Sequence, residues 1–221
     1  MFVTRLFKLL ALCLAGLAIG LGSYTVFVSP VFGREALALP TMQATPEAAQ
    51  EDELIMSFDV SEDFTKFVSD EAPVFEEDGL PAHGNAFVTQ GYIYPSGTLT
   101  STNGVLENGE PEFPDLVLGQ WTCWGYHIGE GAHTTNGAWV ITNQLYQFGE
   151  ELGEATVTTT GYELADQDKP FRRAITGGTG PYAGASGEVI QTFLGFNASH
   201  GVNLKFELKL APEAEPAAET Q

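Results

Sequence analysis

Hydrophobic and polar residues alternate most clearly near the C-terminal end of the chain. In residues 202–210 (VNLKFELKL), every second residue is apolar and the residues between them are polar. Successive side chains of a β-strand point to opposite faces of the sheet. The pattern therefore predicts a strand with one buried face and one solvated face.

Seven further segments are rich in the β-branched and aromatic residues that favour strands, and Gly- or Pro-containing turns bound several of them. They are residues 54–60, 85–94, 117–128, 138–148, 154–164, 172–176 and 188–196. Residues 62–69 are the one weak helical candidate. The pattern predicts an all-β domain of eight mostly antiparallel strands, and it fits both a sandwich and a closed barrel.

The first 38 residues differ from the rest of the chain. Arg5 and Lys8 precede an apolar run over residues 9–28, and Ala36-Leu37-Ala38 offers a small-x-small cleavage site. This arrangement is typical of an export signal, and the run is also long enough for a membrane-anchoring helix. Either interpretation predicts an exported protein, periplasmic or extracellular if the signal is cleaved and anchored facing outward if it is not.

The remaining organisation follows from composition. Residues 39–53 are polar, acidic and Pro-containing, which predicts a disordered linker. Residues 54–210 show no linker-like break and are predicted to form one barrel or sandwich domain. Residues 211–221 (APEAEPAAETQ) are predicted to be a disordered acidic tail.

The charge of the chain excludes some classes of partner. The sequence has 29 acidic and 9 basic residues and a net charge of −20. A phosphate backbone would repel such a surface, which argues against a nucleic-acid partner. The same charge opposes docking on anionic lipid headgroups, so membrane contact is expected only through the N-terminal segment if it is not cleaved.

A glycine-rich stretch stands out at residues 173–189 (RAITGGTGPYAGASGEV). Gly177, Gly178, Thr179 and Gly180 are interpreted as a structural turn, because glycine permits positive φ and close backbone approach. A phosphate-binding loop is disfavoured, since no Lys-Ser/Thr pair and no helix pattern follow, and Pro181 lacks a backbone donor.

This stretch resembles the loop of the allene oxide cyclase and dirigent barrel superfamily, where a strand ends in GGTG and an aromatic residue and a G-A-x-G run follow. The segments GQWTCWGYHI, WVITNQLYQF and EATVTTTGYEL are similar to the strands of that superfamily. The resemblance implies an exported bacterial protein with an eight-stranded antiparallel barrel and an apolar cavity. It also implies chemistry without a metal or organic cofactor.

The resemblance has departures that bear on the reaction. Plant dirigent proteins can carry an acidic residue after the GGTG turn and commonly an arginine in the following run, where this chain has Pro181 and Ser186. Plant cyclases use a carboxylate early in the barrel, and Asp59 is the nearest candidate here. Asp59 is therefore the predicted catalytic residue, at the barrel mouth.

The candidate ligand-binding residues are Tyr92, Trp121, Cys123, His127 and Asn143. Strand alternation places Trp121, Cys123 and His127 on one face. Cys123 is interpreted as a small core residue, because no activating base lies beside it in the pattern.

The histidines and cysteines show no metal-ligand spacing, so no metal site is predicted.

The sequence predicts a barrel that binds an apolar or phenolic small molecule and, if it is active, steers its cyclisation or coupling as an isomerase-like or dirigent-type protein. Two alternatives stay open. One is a non-catalytic carrier of a lipid or phenolic ligand, and the other is a structural scaffold barrel. A homo-oligomer is compatible with each of them.

Overall fold

A computed structural model of the chain describes residues 54–211, with side chains from Met56 onward. Eight strands account for most of this region. They are β1 (Leu54–Ser69), β2 (Ala86–Pro95), β3 (Gly119–His127), β4 (Ala138–Phe148), β5 (Thr156–Leu164), β6 (Phe171–Thr179), β7 (Gly187–Phe196) and β8 (Val202–Leu210). Three short 3-10 helices, Pro114–Leu116, Gly131–His133 and Gly180–Tyr182, lie in the connections.

The strands form a closed antiparallel barrel in which each strand pairs with its neighbours in sequence and β8 pairs back with β1. Closure removes the exposed edges that an open sheet would present. The all-β, eight-stranded antiparallel prediction is confirmed. The predicted N-terminal signal or anchor (1–38), the linker (39–53) and all but the first residue of the tail lie outside the described residues.

No helix in the described part of the chain is long and apolar enough to cross a membrane.

The helical prediction for residues 62–69 is wrong, because β1 continues to Ser69. The register of β1 against β2 shifts between Asp63 and Val68, so extra residues bulge out of the ladder there. The amide and hydroxyl of Thr65 both donate to Asp63 Oδ1, at 3.0 and 2.6 Å, and hold the bulge. The bulge brings the rings of Phe64 and Phe67 into contact, with centroids 5.1 Å apart. Two apolar residues three positions apart are also typical of a helix face, which explains the helical prediction.

One end of the barrel interior is filled by apolar side chains. Phe58, Tyr146 and Phe206 form the centre of this cluster, with ring centroids 5.0 to 5.3 Å apart. Smaller aliphatic residues from β5 to β8 complete it: Val157, Ile175, Val189, Leu204 and Leu208. This half of the barrel is a packed core and leaves the other half for a cavity.

The connection between β2 and β3 covers part of the outer surface of the barrel. Leu99 and Val105 from this connection are buried. The hydroxyl of Tyr94 donates to the Gly104 carbonyl at 2.7 Å. Side chains that point outward from β1 are therefore also buried, but under this connection and outside the barrel interior.

The GGTG segment divides between a strand and a turn. Gly177, Gly178 and Thr179 are the last residues of β6 and pair with β5, and the chain turns from Gly180. A Cβ atom on Gly180 would lie 1.7 Å from the Glu154 carbonyl oxygen, and its φ is +58°. The turn therefore requires glycine at position 180 on two grounds.

Candidate ligand cavity in the barrel

The half of the barrel opposite the packed core contains a cavity of about 310 Å³. A volume of this size suits one small organic molecule. Its lining is mostly apolar and comes from strands β1 to β5, β7 and β8 and from the segments before β2, β4 and β8: Glu62, Phe64, Phe67, Leu80, Pro81, Phe87, Thr89, Trp121, Cys123, His127, Ala132, Trp139, Val140, Glu163, Phe196, His200 and Val202.

The depth of the cavity is visible in the exposure of its lining. Phe64, Leu80 and Phe196 are 43%, 44% and 51% exposed and form the mouth. Trp121 and Cys123 are 1% and 2% exposed and lie at the inner end. The cavity therefore runs from solvent into the barrel interior.

A row of stacked rings leads inward from the mouth. Phe64 stacks on Phe67, and Phe67 stacks on Phe87 with centroids 5.4 Å apart and planes within 18°. The Phe87 ring then lies 5.2 Å from the His127 ring. Flat ring faces on one wall favour a ligand with an apolar or aromatic body.

Glu62 places a carboxyl group in this apolar surrounding. It lies on β1 two residues beyond Val60, whose side chain packs in the core, and Glu62 Oε2 accepts the backbone N–H of Val202 at 2.8 Å. The pKa of Glu62 is raised from its usual 4.5 to about 7, mainly by burial and also by the negative charges of Glu163 and Asp63, while hydrogen bonds from Thr89 and Val202 oppose the rise. Glu62 is therefore a carboxyl group that can gain or lose a proton near neutral pH.

A second interior carboxylate, Glu163, is surrounded by donors. Its Oε1 accepts the Thr142 hydroxyl at 2.6 Å and the Gln144 amide at 2.9 Å, and its Oε2 accepts the Gln191 amide at 2.8 Å. The Arg173 guanidinium lies 3.7 Å from Glu163 Oε1. This network fixes Glu163 in position and balances its charge within the barrel.

Arg173 is held by the backbone as well as by Glu163. Its guanidinium donates to the carbonyls of Gly161, Tyr162 and Thr142 at 3.2, 2.9 and 3.0 Å. Its side chain has no exposed surface. Arg173 is therefore committed to the interior network and does not line the cavity.

The cavity wall contains polar nitrogens with no hydrogen-bond partner among the described residues. They are Nε1 of Trp121, Nε1 of Trp139 and both ring nitrogens of His127. Burial lowers the pKa of His127, which favours the neutral imidazole. Buried polar groups without partners are costly. Acceptor atoms of a ligand could satisfy the two indole N–H groups, and neutral His127 offers one donor and one acceptor.

Cys123 lies deep in the cavity with its Sγ 3.6 Å from Glu163 Oε1. Burial, and then the negative charge of Glu163, raise the pKa of its thiol well above the usual value. The thiol form is favoured, so Cys123 acts as a wall of the cavity and not as a nucleophile.

The structure places Asp59, the predicted catalytic carboxylate, away from the cavity. Asp59 lies between Phe58 and Val60, both of which point into the core, so its side chain points outward. Its Oδ2 accepts the Leu99 N–H at 2.9 Å under the β2–β3 connection. Burial raises its pKa, and its role in this position is to anchor that connection.

The five predicted ligand-binding residues divide into two groups. Trp121, Cys123 and His127 line the cavity together. Tyr92 points to the outer side, where its hydroxyl donates to the Gly109 carbonyl at 3.0 Å. Asn143 is exposed on the outer face of β4.

Sequence reasoning missed the interior polar residues Glu62, Glu163 and Arg173. Glu62 fell in the segment assigned to a helix, so no strand face was available for it. For Arg173 a signal existed, because counting by two from the apolar Ile175 on β6 places it on the inner face. Interior charge is rare, and the pattern gives no reason to expect it without the partner strand.

Residues 54–211 contain no group of three or more His, Cys, Asp or Glu side chains that could hold a metal ion.

Comparison with solved structures identifies the fold. One pterocarpan synthase dirigent protein matches with a TM-score of 0.50 at 15% identity, over 79% of this chain and 98% of that chain. A second matches with a TM-score of 0.48 at 13% identity, over 72% and 96%. A pyocyanin demethylase matches with a TM-score of 0.43 at 17% identity, over 71% and 98%. No protein-family model and no curated protein sequence matches the chain.

The chain thus has a dirigent-like β-barrel fold, which the first of these matches shows. At 15% identity the likeness extends to the fold alone.

Proposed function

We propose that the barrel binds a small, largely apolar molecule in its cavity and steers a ring closure or a coupling step, with Glu62 exchanging a proton with the bound molecule. One observation supports this proposal above the others. A cavity that is open at one end of a closed barrel contains a buried carboxyl group whose pKa is about 7.

The shape of the cavity would steer the reaction by restricting the conformations of the bound molecule. A molecule held between the stacked rings at the mouth and the Trp121 end has few accessible conformations. A difference of about 1.4 kcal/mol between competing routes changes the product ratio tenfold. Restriction of this kind requires only shape, and the fixed Glu163–Arg173 network keeps the inner end rigid.

The proton transfer assigned to Glu62 follows from its surroundings. A general acid or base works best when its pKa lies near the working pH, so that both forms are populated. Glu62 meets this condition, whereas Asp59 points away from the cavity. The relation to the allene oxide cyclase and dirigent superfamily is part of the proposal. It is supported by the GGTG segment and by the barrel.

Native mass spectrometry of the full chain purified from its own host tests this function. We expect a retained small molecule. This molecule or its precursor is then incubated with fresh protein, and the product is analysed by chiral chromatography. Wild type should give one stereoisomer in excess, and Glu62→Gln should lose most of the rate. A retained molecule that the protein never changes would instead support a carrier. Racemic product with wild type contradicts the steering role.

We also propose that the barrel works outside the cytoplasm, on the basis of the basic and apolar sequence of residues 1–38. Cell fractionation with N-terminal sequencing of the mature chain tests this. A start after Ala38 supports cleavage, an intact N-terminus in the membrane fraction supports an anchor, and a cytoplasmic chain contradicts both.

A further inference from the structure

We propose that the ligand of the cavity carries a positive charge, as a protonated amine or a quaternary ammonium group on a small aromatic or aliphatic body. This inference rests on the proposed function, because it assumes that the cavity binds a small molecule. Two features of the cavity support it: a carboxyl group without a counter-charge, and a wall of aromatic rings.

The two interior carboxyl groups differ in how their charge is balanced. Glu163 has three side-chain amide or hydroxyl donors and the Arg173 guanidinium. Glu62 has the backbone N–H of Val202 and the neighbouring Thr89 hydroxyl, and no Lys or Arg within the described residues forms an ion pair with it. A buried charge without a partner is unfavourable. A cation bound in the cavity would supply the partner that the chain does not.

Aromatic rings make up a large part of the cavity lining. Six of them line the cavity: Phe64, Phe67, Phe87, Trp121, Trp139 and Phe196. The face of an aromatic ring has a negative electrostatic potential and attracts a cation within about 6 Å of the ring centroid. Aromatic rings and a carboxylate together suit an alkylammonium group, because the ring faces replace part of its hydration shell and the carboxylate balances its charge.

The same cavity disfavours an anionic ligand. Its lining contains two carboxyl groups and, within the described residues, no Lys or Arg. Burial lowers the pKa of His127 and favours its neutral form, and His200, also on the lining, is exposed. A carboxylate ligand such as a fatty acid would meet the negative charge of Glu62, and the nearby Arg173 is already paired with Glu163. A neutral ligand would leave Glu62 without a counter-charge.

Three ligands with one carbon skeleton separate these cases. We would measure binding of 3-phenylpropylamine, 3-phenylpropan-1-ol and 3-phenylpropanoate to the full chain by isothermal titration calorimetry at pH 8, above the pKa of about 7 of Glu62. The amine should bind about tenfold or more tighter than the alcohol, and the carboxylate should bind most weakly. This comparison uses the unaltered protein, so it does not depend on any variant folding.

Glu62→Gln then tests the assigned partner. The variant should bind the alcohol as wild type does and lose the preference for the amine. Glu77→Gln, at an exposed glutamate outside the cavity, should keep the preference. If the alcohol binds and the amine binds no tighter, the charged-ligand inference is overturned and the proposed function stands. If none of the three ligands binds, both are overturned.

Discussion

The guanidinium of Arg173 lies 3.7 Å from the carboxylate of Glu163, and both side chains are enclosed by the barrel. Breaking a buried pair by removing one partner leaves an uncompensated charge and is strongly destabilising. The next residue, Arg172, pairs with Glu188 at 2.7 Å on the outer surface, where its side chain is 66% exposed. Two adjacent arginines therefore form one buried and one exposed ion pair.

This relationship predicts different costs for the same substitution. Arg173→Met should lower the free energy of unfolding by about 3–5 kcal/mol, because Glu163 would lose its buried counter-charge. Arg172→Met should cost about 1 kcal/mol or less, because an exposed pair is screened by water. Urea unfolding of both variants at pH 7 measures the difference. Equal destabilisation by the two substitutions would contradict the buried network.

Glu62 makes the stability of the barrel depend on pH. Its pKa is raised from 4.5 to about 7 in the folded state, so the folded protein binds the proton more tightly than the unfolded chain. The resulting stabilisation is complete below about pH 4.5 and is lost as the pH rises through about 7. A pKa difference of this size corresponds to about 3 kcal/mol.

Glu62→Gln removes this dependence. The stability of the variant relative to wild type should increase steadily between about pH 4.5 and 7.5, as measured by urea unfolding across that range. Glu77→Gln, at an exposed position, should track wild type. Parallel curves for wild type and Glu62→Gln would show that Glu62 has an ordinary pKa.

Two glycines of the GGTG-PYAG stretch provide a test of the turn. Gly180 and Gly184 both have positive φ, at +58° and +79°, but only at Gly180 would a Cβ meet backbone. Gly184→Ala should cost about 1 kcal/mol from conformational strain alone. Gly180→Ala should cost clearly more, because the turn must also move away from Glu154. Thermal melts of the two variants measure this, and equal melting temperatures would refute the close approach.

Cys123 should resist alkylation in the folded protein. It is 2% exposed, and burial raises the pKa of its thiol. Modification by iodoacetamide at pH 8, followed by mass spectrometry of the Cys123 peptide, should be at least about a hundredfold slower in the native protein than in urea. A native rate close to the unfolded rate would mean that the inner end of the cavity opens freely to solvent.

The sequence predicted the strands well because the evidence for a strand is local, whereas the choice of a barrel over a sandwich came from the resemblance of the GGTG stretch. Alternation in residues such as Val202 to Leu208 identifies strand faces without any knowledge of the partners. The same counting correctly placed Trp121, Cys123 and His127 on one buried face.

The polar part of the cavity depends on contacts between distant strands, which no local pattern contains. Glu163 meets Gln191 from a position 28 residues away. Glu62 lies on β1 just before the bulge, and the spacing of Phe64 and Phe67 within the bulge resembles that of a helix. Asp59 illustrates the converse, because its position on the chain suggested a barrel mouth while strand parity turns it outward.

The most direct test of the account is whether an apolar probe enters the barrel through its mouth. The fluorescence of N-phenyl-1-naphthylamine should rise to saturation at one site per chain. Ala132→Trp, which places a bulky ring on the cavity lining, should weaken this binding about tenfold or more, while Ala174→Trp on the outer face of β6 should not. Absence of saturable binding to wild type, or equal binding to the two folded variants, would contradict a ligand cavity in this barrel.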